Sequence, residues 1–96
     1  MKKVIIKNST LENKKKMAIF YEDGKKVKTT HFGAKGMSDY TKHKNDERKQ
    51  RYLDRHRKRE NWDNPMTAGA LSRWILWNKK TLRESINDYK QKFNFH

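Results

Sequence analysis

Residues 16–32, KMAIFYEDGKKVKTTHF, decide the fold. Two extended segments flank Asp23-Gly24, a pair suited to the left-handed backbone of a two-residue hairpin turn. On the first segment Met17, Ile19 and Tyr21 alternate with Ala18 and Phe20, so both faces carry apolar groups and the register stays open. On the return, Val27, Thr29 and His31 alternate with Lys26, Lys28 and Thr30. Upstream, the β-branched run in VIIKNST (residues 4–10) supplies one more strand. A three-stranded antiparallel sheet is expected within residues 1–33.

Downstream, the apolar spacing changes from period two to helical. FGAKGMSDY (residues 32–40) reads as a loop in which Gly33 and Gly36 permit positive φ and Ser38 caps a short turn. The stretch KHKNDERKQRYLDRHRKREN (residues 42–61) starts a helix at Asn45 or Asp46, acidic in its first turn and basic in its last, as the helix dipole favours. Tyr52, Leu53 and His56 leave it only a narrow stripe for a core. The residue before Pro65 avoids helical geometry, so Trp62-Asp63-Asn64-Pro65 is a break. Thr67 then caps AGALSRWILWNK (residues 68–79), apolar around much of its circumference and expected to be buried. Thr81-x-x-Glu84 is a capping box ahead of Leu82, Ile86, Tyr89 and Phe93, the cleanest amphipathic stripe in the chain.

The expected fold class is α+β. An N-terminal three-stranded antiparallel sheet precedes three or four helices, the last two forming a helical hairpin. Residues 1–96 make one domain: strands over 1–33, the glycine loop and basic helix over 34–64, the hairpin over 65–96. Three Trp, four Tyr and four Phe give so short a chain its core, at roughly 150–250 Å² buried per ring.

Charge points to the partner. Twenty-five Lys/Arg against eleven Asp/Glu leave +14. The excess is about +6 over residues 1–33, +4 over 34–64 and +4 over 65–96, so the folded body rather than a tail is basic. A compact domain so charged repels itself, and a polyanion relieves the repulsion. Solubility alone asks for a net charge of only about 2–8. The absence of Cys excludes a disulfide framework and a thiolate metal site. No run approaches the ~20 apolar residues of a membrane span, and Val4-Ile5-Ile6 is too short for a signal-peptide core, so no membrane partner and an intracellular or packaged protein are expected.

The candidate nucleic-acid contacts are Arg48, Lys49, Arg51, Arg55, Arg57, Lys58 and Arg59 on the basic helix, with Lys35 between the glycines. Guanidinium forks grip phosphate oxygens bidentately, and each neutralised phosphate releases condensed counterion. The plain alternative is a solvated helix held by pairs such as Glu47–Arg51. Nothing in the helix resembles a base-reading set, so backbone contact is expected rather than sequence readout. Gly33, Gly36 and Ser38 form a second candidate, an anion loop, against the plain reading of a tight strand-to-helix turn; the spacing is not that of a nucleotide triphosphatase. Lysines 14–16, 25, 26 and 28 surround the sheet's turns, where Phe20, Tyr21 and Phe32 either stack on bases or, more in keeping with a small core, lie inside. His31, His43 and His56 fit no metal motif, and Ser9, Ser38, Ser72 and Ser85 sit in no nucleophile elbow. No catalytic residue, cofactor or metal is expected. Three Trp are generous for one small core, which leaves a homodimer open.

The runs GAKGMSDYT (33–41), RYLDRHRKRENW (51–62) and NPMTAGALSRWILWNK (64–79) resemble a family of small basic proteins of giant double-stranded DNA viruses, the likeness spanning about residues 29–93. The resemblance implies a virus-encoded, virion-packaged protein of the virion, host cytoplasm or viral factory, acting on the viral genome, and brings no catalytic residues. The expected function is therefore binding of nucleic acid without sequence preference, double-stranded DNA before RNA. A virion interaction protein meeting acidic partners and a small metal-dependent nuclease are the alternatives.

Overall fold

The computed structural model describes all residues from Met1 to His96. Strands β1 (Lys2–Asn8), β2 (Lys14–Glu22) and β3 (Lys25–Ala34) form an antiparallel sheet in the order β1-β2-β3. Helices α1 (Tyr40–His43), α2 (Asp46–His56), α3 (Ala68–Leu71, running on as a single π turn, Ser72–Leu76) and α4 (Leu82–Phe93) follow. The α+β layout read from the sequence is the observed one.

Local chemistry explains the elements. Asp23 and Gly24 both take positive φ, 50° and 83°, which makes the tight β2–β3 turn. The register open in the sequence is settled by pairing Val4 with Phe20 and Ile6 with Ala18 across β1–β2, which puts these side chains on one face. Pairing slips between Phe20–Lys28 and Tyr21–Lys26, leaving Val27 as an extra, exposed residue at a bulge. The free edge of β1 is met by the end of the chain, where His96 N–H donates to the Lys2 carbonyl and Val4 N–H to the His96 carbonyl.

Val4, Ala18, Phe20 and Phe32 from the sheet pack on Leu71, Ile75 and Leu76 of α3 and on Tyr89 and Phe95. Thr81 caps α4 through the Glu84 N–H at 3.2 Å, and its hydroxyl donates to the Glu84 carboxylate. Leu82, Ile86 and Phe93 flank the buried Tyr89 as the stripe predicts. The Tyr89 hydroxyl donates to the Pro65 carbonyl at 2.7 Å, so this buried phenol keeps a partner. Phe20 and Phe32 are fully buried: the core, not base stacking, uses them.

Three local expectations need correction. Asp39, not Ser38, caps α1, its carboxylate accepting the Thr41 N–H at 3.0 Å. The basic helix stops at His56, short of Arg57, Lys58 and Arg59, because the His56 carbonyl accepts from both Arg59 and Glu60 N–H and turns the chain. The helix expected over residues 68–79 widens into the π turn after one α turn, and Trp77 N–H reaches back to the Ser72 carbonyl.

Gly33 is required for space as well as for its φ of 79°. A Cβ there would lie 2.7 Å from Leu76 Cδ1 and 3.3 Å from Lys15 Cβ. Gly36, at φ 90°, faces open space. Gly33→Ala should therefore cost about 2 kcal/mol and lower Tm by roughly 8–16 °C, whereas Gly36→Ala should cost about half as much. Equal losses in thermal unfolding would refute the packing role of Gly33.

Candidate nucleic-acid interface

The surface around the loop of residues 34–39 is built by α2, the start of β2 and the α1 segment. Asn45 caps α2 by accepting the Glu47 and Arg48 N–H groups, and Asp46 and Glu47 complement the helix dipole in the first turn. Helical spacing then puts Arg48, Arg51 and Arg55 on one stripe. Together with Met37, Ser38 and Trp77 they line a shallow cleft of about 250 Å³. On the other side of the loop, Lys16, Lys35 and Lys42 border a wider depression of about 480 Å³. A third cleft joins the two: it shares Arg55 and Ser38 with the first and Lys15 and Asp39 with the second. Cationic side chains thus lie on both sides of the loop.

The predicted contacts separate on this frame. Arg48, Arg51 and Arg55 come together, and Arg57, Lys58 and Arg59 are exposed on the turn beyond α2. Lys49 turns inward, contrary to expectation. Its Nζ donates to the Asn78 carbonyl at 2.7 Å and lies 4.8 Å from the Tyr40 ring centre, and burial, then the Arg73 and Lys79 charges, pulls its pKa down. It serves as a strut between α2 and the α3–α4 connection. In the glycine loop Lys35 N–H donates to the Asn13 carbonyl and Met37 N–H to the Ala34 carbonyl. Those two amides close the turn and are not available to an anion; the Lys35 ammonium, the Ser38 hydroxyl and the Gly36 and Ser38 amides have no partner within the protein.

Two features of the site had only faint signals in the sequence. Trp77, assigned to the core by default, lies flat on Tyr52, ring centres 4.3 Å apart and planes 2° apart, and forms a wall of the arginine cleft. His56 stacks on Tyr52 and holds the Glu60 carboxylate at 3.0 Å. Arg73 is half-buried between Trp62 and Trp74, with Nη1 donating to the Trp77 carbonyl. The histidines are dispersed, His31 on Ser9, His43 on Trp77 and His56 on Glu60. No three His, Cys, Asp or Glu side chains are gathered to hold a metal ion.

Of the 25 Lys/Arg, only Lys15 and Arg51 lie within 4.0 Å of a carboxylate. Lys15–Asp39 is the buried pair, 2.7 Å long, with Asp39 2 % exposed. Burial on its own would raise the Asp39 pKa, but the Lys15 ammonium and the Thr41 hydroxyl and amide hold it below the ordinary 3.8. His43 accepts the Asn45 N–H at Nδ1, so its proton is on Nε2. Burial, then the Arg48 charge, pulls its pKa below the ordinary 6.5.

Both shifts make stability fall with acid. Once the pH drops below 6.5 the unfolded chain protonates His43 more readily than the folded one, and below 3.8 the same holds for Asp39. His43→Gln should flatten the first decline and Asp39→Asn the second, as read by urea unfolding against pH. At pH 7 Asp39→Asn should also cost about 3–5 kcal/mol, because it strands the Lys15 ammonium. A neutral-pH loss under about 1 kcal/mol would show that the pair does not hold the loop.

No curated protein and no solved structure matches this chain. A family model described as "Family of unknown function (DUF5754)" matches residues 4–56, more than half of the chain, from β1 to the end of α2. That span contains all of the sheet but the first two residues of β1, the loop and the arginine stripe. The chain therefore belongs to the DUF5754 family.

Proposed function

We propose that this protein binds nucleic acid, double-stranded DNA foremost, through its phosphate backbone and without reading sequence. The observation that carries the reading is the Arg48–Arg51–Arg55 stripe, three guanidinium groups on one cleft with the Ser38 hydroxyl beside them. Its only internal ion pair is the exposed, 4.0 Å contact of Arg51 with Glu47. Lys16, Lys35 and Lys42 extend the cationic surface on the far side of the loop, and Arg57, Lys58 and Arg59 extend it past the end of α2. Such a surface matches repeated phosphates better than one acidic side chain. The resemblance to small basic proteins of giant double-stranded DNA viruses supplies a setting, compaction of a packaged genome, in the virion or the viral factory.

Engagement of about four to six phosphates gives a slope of log K against log [salt] of roughly −4 to −5. Fluorescence anisotropy with two duplexes of unrelated sequence should give equal affinities and this slope. Arg48→Ala, Arg51→Ala and Arg55→Ala combined should weaken both duplexes alike and reduce the slope by about 2–3. An affinity that stays level between about 50 and 200 mM salt, or failure to bind either duplex, would overturn the proposal and turn attention to acidic protein partners.

A further inference from the structure

Beside the arginine stripe lies the joining cleft of about 350 Å³, between the loop of residues 33–39, the second half of α2 and the start of α3. Phe32, Leu76, Tyr52 and Trp77 give it apolar walls, and Met37, 65 % exposed, lies at its rim. Its carboxylates are already engaged, Asp39 by Lys15 and Thr41, Glu60 by His56 and Trp62. Lys14, Arg55, Ser38 and Ser72 also line it, and their side chains have no partner within the protein. Apolar walls with a few unpaired cationic and hydroxyl groups suit a flat, partly apolar ligand that carries negative charge, and the volume lies in the range of small-ligand pockets.

The cleft shares Met37, Ser38, Arg55 and Trp77 with the arginine cleft. A phosphate held by Arg48, Arg51 and Arg55 therefore brings its attached sugar and base to the mouth of the larger space. We propose that this cleft takes one unpaired nucleotide of a bound strand, with its phosphate on the arginine stripe and its base inside. The role rests on the nucleic-acid reading above and refines it to unpaired positions. The two faces of Tyr52 are covered by Trp77 and His56, so the base meets ring edges, which favour the faces of other rings, and the free hydroxyls. Extracting a base from an intact duplex carries the cost of unstacking and unpairing it, whereas a bulged or overhanging nucleotide is already unpaired. The protein should therefore prefer duplexes that carry such a nucleotide.

The test compares an intact duplex with the same duplex bearing one bulged 2-aminopurine, at equal salt. The bulged probe should bind about tenfold more tightly, with a change in 2-aminopurine fluorescence on binding. Ala68→Phe fills the cleft from the α3 side and Ala34→Phe from the end of β3; each alone is informative if its circular dichroism is native. Either should abolish the preference and leave the affinity for intact duplex as it was. Equal affinity of the natural protein for both probes overturns the cleft proposal while leaving duplex binding in place, and so does a preference that survives in a folded variant. Failure to bind either probe overturns the nucleic-acid reading itself.

Discussion

The flat contact between Tyr52 and Trp77 holds the basic helix to the rest of the protein. Only Tyr52 and Leu53 of α2 are buried, too little aliphatic surface to fix an eleven-residue helix in place. The stacked rings supply what is missing, worth about 0.5–1.5 kcal/mol beyond the area they bury, and His56 extends the column on the far face of Tyr52. Lys49 adds its hydrogen bond to the Asn78 carbonyl from the same side of the helix. With so few anchors doing this work, the remaining circumference of α2 is free to be charged. The π turn of α3 belongs to the same arrangement, since it is the segment from which Trp77 emerges.

A second constraint fixes the loop against that helix. Asp39 caps α1 and also receives the Lys15 ammonium from β2, so one carboxylate ties the sheet to the helical half. Desolvating such a pair is costly unless its lone pairs are filled, and here Thr41 fills them through both its amide and its hydroxyl. The neighbouring Ser38 and Met37 are thereby carried to the edge of the arginine stripe. Gly33 makes the approach possible by leaving room for Leu76 beneath the loop.

Much of the fold was legible because its signals are local. Asp23-Gly24 specifies its turn, Thr81 and Glu84 specify a helix start, and the spacing of Leu82, Ile86, Tyr89 and Phe93 specifies the face of α4. What could not be read depends on contacts distant in sequence. Arg48 and Lys49 are adjacent and chemically alike; helical spacing puts Lys49 on the face of Tyr52, Leu53 and His56, a signal masked by the run of charge, and its acceptor, the Asn78 carbonyl, is distant in sequence. The bulge at Val27 is set by the register of a partner strand, and the end of α2, though local, by the His56 carbonyl taking two N–H groups, which no residue type announces. Of the site, the arginines were legible as a run of charge. Their convergence on Trp77 was not, because the π turn that presents this ring has no periodic signature.

Inside, nearly every polar group is satisfied; among buried side-chain atoms only His43 Nε2 and Arg73 Nε lack a partner. Outside, the opposite holds, and the stripe of α2 has one long, exposed ion pair for three guanidinium groups. An exposed pair of that kind is worth little, so on the proposed function an incoming phosphate would displace solvent rather than a bond that holds the fold. The helix carrying the arginines is meanwhile fixed by ring stacking and a half-buried lysine, contacts that salt screens less than surface charge. Ionic strength therefore acts on the two halves of the problem separately. It weakens attraction between the surface and a polyanion, and it relieves self-repulsion in the free domain, while the geometry that aligns the three guanidinium groups stays the same.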